Sequence, residues 1–344
     1  MQVPKKLVSW ILFLVLLLAV VFIEYLLLRP KNSQAPVEAG HISALHIEYG
    51  KLKDEDGQTV QLTGMSSHGL LWYPGYVNSG AMQTLKEYGA NTFRIAVYSD
   101  DEAGGYVQKP QETMQLLYLA VENAICMDMY AVVDWHVLQD ASPLNNTDSA
   151  LSFFEEVSAH YGDCPNLLYE ICNEPNGGTT WDEICAYAEQ VIPVIRKNAP
   201  NAVVIVGTPE FSYAAEWAID RPLAFENVMY SFHFYAGQFD DHFNDVFNLA
   251  EKKDVALFVT EWGVNYGMNG KPALAQAEKF VTVLNRRKIS WAAWSLSNKD
   301  EVYSAIRPDC GKLSGWEEDD LTDVGKLIFS SFRQETFLNQ LKGS

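Results

Sequence analysis

The sequence has few cysteines, and their spacing matches no metal site. Five cysteines occur in 344 residues, without a CxxC pair, and no HExxH motif is present. A chain of this length can bury a core large enough to fold without disulfide staples. We therefore expect buried free thiols with at most one disulfide, and we expect no bound metal.

Basic residues are also scarce. The chain has 25 Lys and Arg residues against 44 Asp and Glu residues, a formal net charge of −19. A surface this acidic repels phosphate backbones and anionic polysaccharides. We therefore expect no nucleic-acid partner, whereas neutral ligands remain possible. The 9 Trp, 17 Tyr and 17 Phe residues exceed ordinary core needs and suit a protein that stacks flat sugar rings.

The first residues of the chain carry a long apolar run. Residues 7–23 contain no charged side chain, and Lys5 and Lys6 precede them. This run is close to the roughly 17–25 residues that span a bilayer as a helix. The two lysines place its amino-terminal end in the cytoplasm. We therefore expect residues 1–6 in the cytoplasm and a single-pass signal-anchor over residues 7–28.

A long cleaved signal peptide is the alternative, with Ser33-x-Ala35 as the nearest candidate cleavage site. In both cases the rest of the chain lies outside the cytoplasmic membrane. It is anchored to the cell, or secreted if residues 1 to about 35 are removed. Residues 29–43 have the composition of a flexible linker that leads into a single domain over residues 44–344.

From residue 44 onward, short apolar runs rich in β-branched residues alternate with helical patterns. A hairpin comes first, with residues 45–49 and 59–65 on either side of a turn that ends in Asp56-Gly57. The strand candidates are residues 60–66, 91–97, 130–136, 167–172, 202–207, 227–233, 255–260 and 290–296. The helix candidates are residues 79–88, 111–128, 149–161, 181–198, 212–219, 241–252, 273–287 and 321–339. Eight β→α units of this kind predict an α/β fold, a closed (β/α)8 TIM barrel.

Nearly every predicted strand ends in a residue that can bind or cleave a sugar. In such barrels the active site lies at the carboxyl ends of the strands. Candidate site residues therefore follow from the strand pattern: His68, Trp72, Arg94, Tyr98, His136, Asn173, Glu174, His233, Tyr235, Glu261 and Trp294.

Two glutamates among these candidates form a potential catalytic pair. Glu174 follows the fourth strand candidate in YEICNEPN, and Glu261 follows the seventh in LFVTEWG. Retaining glycosidases need two carboxyl groups about 5–5.5 Å apart, one as acid/base and one as nucleophile. We expect Asn173 to bond the sugar 2-hydroxyl and Arg94 to lower the pKa of Glu261. His233 and Tyr235 are expected to orient this site.

These motifs carry a resemblance to a known family. They are GMSSHGLLWY (64–73), NTFRIAVY (91–98), VVDWHVL (132–138), YEICNEPN (169–176), SFHFYAG (231–237), TEWG (260–263), SWAAWSLSNKDE (290–301) and SGWEEDDLTDVG (314–325). In this order the chain resembles glycoside hydrolase family 5, above all the bacterial endo-β-1,4-glucanases (cellulases) of subfamily 2.

The resemblance implies a role for each matching residue. Glu174 resembles the acid/base and Glu261 the nucleophile. The residues that resemble the shell around the cleaved sugar are His68, Arg94, Tyr98, His136, Asn173, His233 and Tyr235. The residues that resemble binding groups for sugars on the non-reducing side are Trp72, Trp294, Lys299 and Glu301. Four other tryptophans, Trp10, Trp181, Trp217 and Trp316, are expected to be anchor or packing residues.

The resemblance also implies internal cleavage of β-1,4-glucan by double displacement, with no cofactor, by a protein that we expect to be a monomer. A hydrolase of the same clan that acts on mannan, xyloglucan or mixed-linkage glucan is the alternative. A barrel that binds glucan without cleaving it is a more remote one, since such a protein would have lost a carboxylate or the arginine.

Overall fold

The computed structural model describes residues 42–101, 104–162, 164–238, 241–265 and 271–333. All of these residues lie in one compact unit. Among them, no helix is both long and apolar enough to cross a membrane. The predicted membrane segment, residues 7–28, lies outside the described residues, as does most of the predicted linker.

Eight parallel strands form the centre of the fold. They are β1 (Thr63–Ser67), β2 (Thr92–Tyr98), β3 (Tyr130–His136), β4 (Leu167–Glu170), β5 (Val203–Val206), β6 (Val228–Ser231), β7 (Leu257–Gly263) and β8 (Ser290–Leu296). Nearly every residue in them is buried. This burial on both faces is what continuous apolar strands require, because helices cover one face and the barrel interior covers the other.

The sheet closes on itself. Each strand pairs with the next in chain order, and β8 pairs with β1, where Trp291 lies opposite Thr63. The predicted barrel is therefore confirmed. Three strands end earlier than predicted, β4 at Glu170, β5 at Val206 and β6 at Ser231. Asn173 and Glu174 after β4, and His233 after β6, therefore lie outside the strand pairing, whereas Tyr235 lies in a short strand pair with β7.

The helices that cover the barrel are α1 (Ser79–Tyr88), α2 (Pro110–Cys126), α3 (Thr147–Tyr161), α4 (Trp181–Asn198), α5 (Glu216–Asp220), α6 (His242–Lys252), α7 (Leu274–Arg287) and α8 (Asp323–Ser331). The prediction of a helix over residues 212–219 was wrong at its start. Glu210, Phe211 and Ser212 all have positive φ, so this segment forms a left-handed turn and the helix begins at Glu216.

The predicted hairpin was wrong in its pairing. His46–Glu48 pairs with Lys51–Lys53, not with residues 59–65. Tyr49 and Gly50 both have positive φ, as a two-residue hairpin turn requires. The predicted turn at Gly57 exists, and it leads from Lys51–Lys53 into an isolated bridge to Thr59. Leu45 and Leu52 of this hairpin pack against Tyr130, Leu168 and Val203, so the hairpin lies at the amino-terminal end of the barrel.

All five cysteines are free thiols. Cys172 and Cys310 are buried as predicted, and Cys164 and Cys185 are half-buried. Cys126, the last residue of α2, is exposed, so the prediction of burial was wrong there. It ends an amphipathic helix, where one step along the chain moves a side chain from the core face to solvent.

Candidate active site

The fold brings the predicted site residues together at one end of the barrel. Twelve of them lie near the carboxyl ends of strands or in the loops that follow. Arg94 is the exception, since it is the third residue of β2 and is fully buried deeper in the barrel. The side chains of His68, His136, Asn173, His233 and both glutamates are buried as well. Such burial requires hydrogen-bond partners for every polar group.

Glu174 and Glu261 face each other across the mouth of the barrel. Glu261 lies within β7, whereas Glu174 lies four residues beyond the end of β4. The Glu174 amide donates to the carbonyl of Val137 at 3.2 Å, which fixes the carboxylate against the end of β3. One carboxylate oxygen of each glutamate lies within 4.8 Å of the other. This separation falls on the short side of the two geometries that glycosidases use.

Arg94 connects three carboxylates below the site. Its Nε and Nη2 donate to the two oxygens of Glu170 at 2.7 and 3.2 Å. Its Nη2 also lies 3.0 Å from Asp134, and its Nη1 donates to Glu261 at 3.3 Å. The guanidinium further donates to Asn173 Oδ1 at 2.6 Å. A fully buried charge requires this kind of pairing.

Two of these partners, Asp134 and Glu170, were missed in the sequence. Each lies on a strand at an inward position, since Asp134 is two residues before His136 and Glu170 is two residues after Leu168, whose side chain packs with those of the neighbouring strands. Alternation along the strand could have identified both as partners for Arg94. Asp134 also contacts His136, with 2.6 Å between Oδ2 and Nδ1.

A chain of hydrogen bonds links Glu170 to Glu174. Thr260 Oγ1 donates to Glu170 at 2.7 Å and lies 2.9 Å from Nε2 of His233. Nδ1 of His233 lies 2.9 Å from Glu174 Oε1. Burial lowers the pKa of His233 to about 4, so its ring is neutral and carries one proton. Since the hydroxyl proton of Thr260 goes to Glu170, His233 donates from Nε2 and accepts at Nδ1.

Glu174 therefore carries the proton in its bond to His233. The pKa of Glu174 agrees with this arrangement. Burial, opposed by Arg94 and reinforced by the charges of Asp134 and Glu170, raises it from 4.5 to about 8. At neutral pH this carboxyl is an acid with a proton to donate.

Glu261 has different neighbours. Tyr235 OH donates to its Oε1 at 2.5 Å, and Arg94 donates to its Oε2. Burial and the Glu261 carboxylate keep the pKa of Tyr235 well above its ordinary value, so this hydroxyl stays a donor. A short strand, Phe234–Tyr235, pairs with the end of β7 and holds the tyrosine beside Glu261. Any side chain at Gly263 would place its Cβ 2.6 Å from the Tyr235 ring, so close packing requires glycine here.

Burial and the nearby Glu174 raise the pKa of Glu261 above its ordinary value. Arg94 lowers this pKa, as predicted, but by less than burial and Glu174 raise it. The two donors still favour the ionised form of Glu261 over that of Glu174, which has no cation in contact.

Aromatic rings and one ion pair line the side of the site formed by the loops after β1 and β8. His136 and Trp294 stack with ring centres 5.3 Å apart, and Tyr98 lies against Trp72 at 4.5 Å. Lys299 Nζ lies 2.7 Å from Glu301 Oε2 and 3.3 Å from His68 Nε2. The structure thus brings these seven side chains together. Five of them were predicted from the strand-end pattern, and Lys299 and Glu301 from the family resemblance.

A cavity of about 1100 Å³ extends from the other side of the site. The loops after β4, β5 and β6 form most of its wall, and Tyr303 from the loop after β8 also contributes. Its lining includes Glu174, Thr179, Phe211, Trp217, Arg221 and His233. Trp217 was expected to be a packing residue, and this prediction was wrong, because its side chain is 61% exposed. Trp181 and Trp316 are buried as predicted, and Trp10 lies outside the described residues.

Glu174, His233 and Glu261 form the one group of described residues whose geometry could also hold a metal ion. Both nitrogens of His233 already have partners within the protein, at Glu174 and Thr260. A metal at this point would have to displace the Glu174 proton. The absence of a metal remains a prediction.

Comparison with known proteins adds a family to this geometry. A family model described as cellulase, glycosyl hydrolase family 5, matches residues 53–300. An endoglucanase of Clostridium saccharobutylicum is 39% identical over 319 residues, which cover 92% of this chain and 71% of that protein. Endoglucanase 5 of Pectobacterium carotovorum subsp. carotovorum is 40% identical over 304 residues, which cover 88% of this chain and 59% of that protein. The relatives are therefore longer than this chain.

Solved structures agree in architecture. The catalytic domain of an endoglucanase from Thermobifida fusca, in complex with cellotetraose, is 30% identical and superposes with a TM-score of 0.80. That match covers 85% of this chain and 97% of the solved one. The catalytic domain of alkaline cellulase K is 32% identical, with a TM-score of 0.78, and covers 88% and 97% of the two chains.

Proposed function

Because this chain belongs to the cellulase family, glycosyl hydrolase family 5, we propose that it hydrolyses internal β-1,4-glucosidic bonds of cellulose and related β-glucans with retention of configuration. The observation that carries the proposal is the pair of buried glutamates within 4.8 Å of each other, one protonated and one held by two donors. Retaining hydrolysis requires such a pair.

In the first step, Glu261 attacks the anomeric carbon while Glu174 gives its proton to the glycosidic oxygen. The bond between these two sugar atoms breaks, the leaving chain departs as an alcohol, and an ester bond forms between the sugar and Glu261. Glu174 is then a carboxylate. In the second step it takes a proton from water, the hydroxide attacks the same carbon, and Glu261 is released.

The neighbouring residues support these two roles. Arg94 and Tyr235 hold Glu261 in position and favour its ionised form. Before the reaction, Glu174 donates a hydrogen bond to Nδ1 of His233, which holds the acid in position. Asn173, fixed by Arg94, lies next to Glu174 in the chain, where its amide can reach the sugar 2-hydroxyl.

The substrate is a neutral glucan held by stacking and hydrogen bonds. Trp72 and Trp294 offer flat faces for rings with equatorial substituents. Lys299 and Glu301 lie on the loop after β8 and can bond the hydroxyls of a sugar held there. These four residues are the binding groups proposed for the non-reducing side, and no cofactor enters the reaction.

Purified polysaccharides given to the full chain test the substrate. Soluble cellulose derivatives and cello-oligosaccharides should be cleaved, with cellobiose among the main products. Rapid hydrolysis of mannan, xyloglucan or mixed-linkage glucan without cleavage of cellohexaose would show that the proposed substrate is wrong. The proposed mechanism would not be affected. Binding of cellohexaose without any hydrolysis would identify a non-catalytic barrel.

Proton NMR of the first product tests the stereochemistry. The two displacements predict that the β-anomer appears first and mutarotates later. If the α-anomer appears first, the enzyme inverts configuration and Glu261 is not a nucleophile.

The enzyme acts outside the cytoplasmic membrane. Support comes from the uncharged run over residues 7–23 and from Lys5 and Lys6 before it. Such a segment exports the chain that follows and then anchors it or is cleaved. The domain over residues 44–344 would reach its substrate from the membrane surface through residues 29–43, or free in the medium.

A further inference from the structure

Trp217 is an exposed aromatic residue with no packing role. Its side chain is 61% exposed, and it does not belong to the hydrophobic core or to the residues packed against that core. Among the described residues, no other ring lies in contact with its indole. Among the described residues, the other large aromatic side chains that are exposed are those of Tyr49 and Phe211. Exposure of one ring alone does not mark a binding site, so the position of Trp217 relative to the active site decides its role.

The indole of Trp217 nevertheless has a fixed support. It lies on α5, and the amide of Arg221 donates to the Trp217 carbonyl at 3.2 Å. The Arg221 carbonyl accepts a bond from Nε1 of the buried Trp181 at 3.0 Å. The guanidinium of Arg221 pairs with Asp182 at the start of α4. The end of α5 is therefore tied to α4, and the ring is presented from a rigid element.

Trp217 lines the same cavity as the reacting acid. That cavity runs from Glu174 and His233 past Phe211 to Trp217 and Arg221. The amide of Phe211 donates to the carbonyl of Pro175, so the Phe211 part of the wall is next to Glu174. Trp217 comes after it, on the following helix.

The position of the cavity relative to Glu174 indicates which part of the substrate it binds. An acid donates its proton to the oxygen of the leaving chain, so that chain lies on the Glu174 side of the site. The sugars that remain attached to Glu261 lie on the Trp294 and Lys299 side. The cavity lies on the Glu174 side, and its volume of about 1100 Å³ exceeds what a single sugar unit needs.

We infer that Trp217 is a stacking platform for a glucosyl unit of the leaving chain, beyond the unit next to the cleaved bond. This inference rests on the proposed function and adds a binding position to it. The apolar face of the sugar would lie on the indole, and Asp182 and Arg221 are within the same wall to bond its equatorial hydroxyls. A long substrate would gain this contact, and a short one would not.

The test compares Trp217→Ala with Tyr49→Ala, which removes an equally exposed ring at the hairpin turn, outside the cavity. Two substrates are used: cellohexaose, which can reach Trp217, and 4-nitrophenyl cellobioside, whose leaving group is too short. We expect Trp217→Ala to reduce kcat/KM for cellohexaose about tenfold more than for the aryl cellobioside. With cellopentaose labelled at its reducing end, the bonds that are cut should shift toward the reducing end, and Trp217→Phe should restore most of the original pattern.

Equal losses on the two substrates, or a pattern like that of Tyr49→Ala, would contradict the inference. A binding measurement separates it from the proposed function. Calorimetry of cellohexaose with Glu261→Gln, with and without Trp217→Ala, should give an affinity about tenfold weaker in the double variant. If the unmodified protein cleaves neither substrate, the proposed function fails, and this difference in affinity still decides the role of Trp217.

Discussion

Glu174 and Glu261 have the same side chain, and their neighbours give them opposite roles. Glu174 contacts a neutral histidine and no cation, whereas Glu261 contacts Arg94 and Tyr235. Burial disfavours the charged form of both, so the group with the better donors keeps its charge. Two carboxyl groups this close share one proton, and their titrations are coupled.

At the residue scale, Glu261→Gln should remove the nucleophile and keep the shape of the site. We expect turnover of cellohexaose to fall at least about a thousandfold, because no covalent intermediate can form. Calorimetry should find cello-oligosaccharide binding largely intact, since the amide still accepts the bond from Tyr235. Loss of binding together with turnover would mean that Glu261 acts mainly in recognition.

The tautomer of His233 predicts a pH effect. Activity needs the protonated form of Glu174, so kcat/KM should fall as the pH rises through about 8. In Thr260→Val the hydroxyl that accepts a hydrogen bond from Nε2 of His233 is lost. The other tautomer of His233, with the proton on Nδ1, then becomes favourable, and Nδ1 donates a hydrogen bond to Glu174. That bond stabilises the Glu174 carboxylate and lowers its pKa, so the alkaline limb should move to lower pH.

Thr260→Ser is the matched control, because it keeps the hydroxyl that accepts from His233 and donates to Glu170. Its pH profile should follow that of the unmodified protein. An unmoved alkaline limb in Thr260→Val would show that this threonine does not set the histidine tautomer.

At the scale of strands, Arg94 connects β2 with β7 and with the end of β4. Arg94→Met should leave Asp134 and Glu170 buried without their cation. We expect the free energy of unfolding to fall by about 3 kcal/mol or more, measured by urea denaturation. Arg307→Met is the control, since Arg307 pairs with Asp309 at the surface and its loss should have no measurable effect.

Much of the strand architecture could be predicted from the sequence, because buried parallel strands are continuous apolar runs. The bounds predicted for β3 and β8 agree with the structure. The turn at Glu210 to Ser212 could not be predicted, since three consecutive non-glycine residues with positive φ are rare. The bonds that fix it are long-range: Ser212 Oγ donates to the Asn173 carbonyl, and the His233 amide donates to the Ser212 carbonyl.

The active site likewise has residues that the strand pattern predicts and residues whose roles depend on contacts between distant parts of the chain. Strand-end positions identified the two glutamates and the sugar-binding rings, because every strand of a closed barrel ends at the same rim. The roles of Thr260 and Trp217 depend on side-chain geometry between elements. A threonine inside an apolar strand and a tryptophan in a short helix have no sequence signal that separates them from core residues.

At the scale of the whole molecule, the amino-terminal segment predicts where the enzyme is found. The full chain, expressed in a bacterial host, should sediment with the membrane fraction and digest substrate added to intact cells. Mass analysis of its amino terminus distinguishes the two forms of export. A start near residue 36 would indicate cleavage and contradict the anchor.

Closure of the barrel between β1 and β8 has a consequence for the timing of synthesis. Strand β1 (residues 63–67) lacks one of its two neighbouring strands until β8 (residues 290–296) has been synthesised. Glu174 leaves the ribosome long before Glu261, and the rim that holds them is complete only when the last strand pairs with the first. A chain that ends before β8 therefore has an incomplete active site and should have no activity. A chain that crosses a membrane before it folds would become active only on the side where its substrate is.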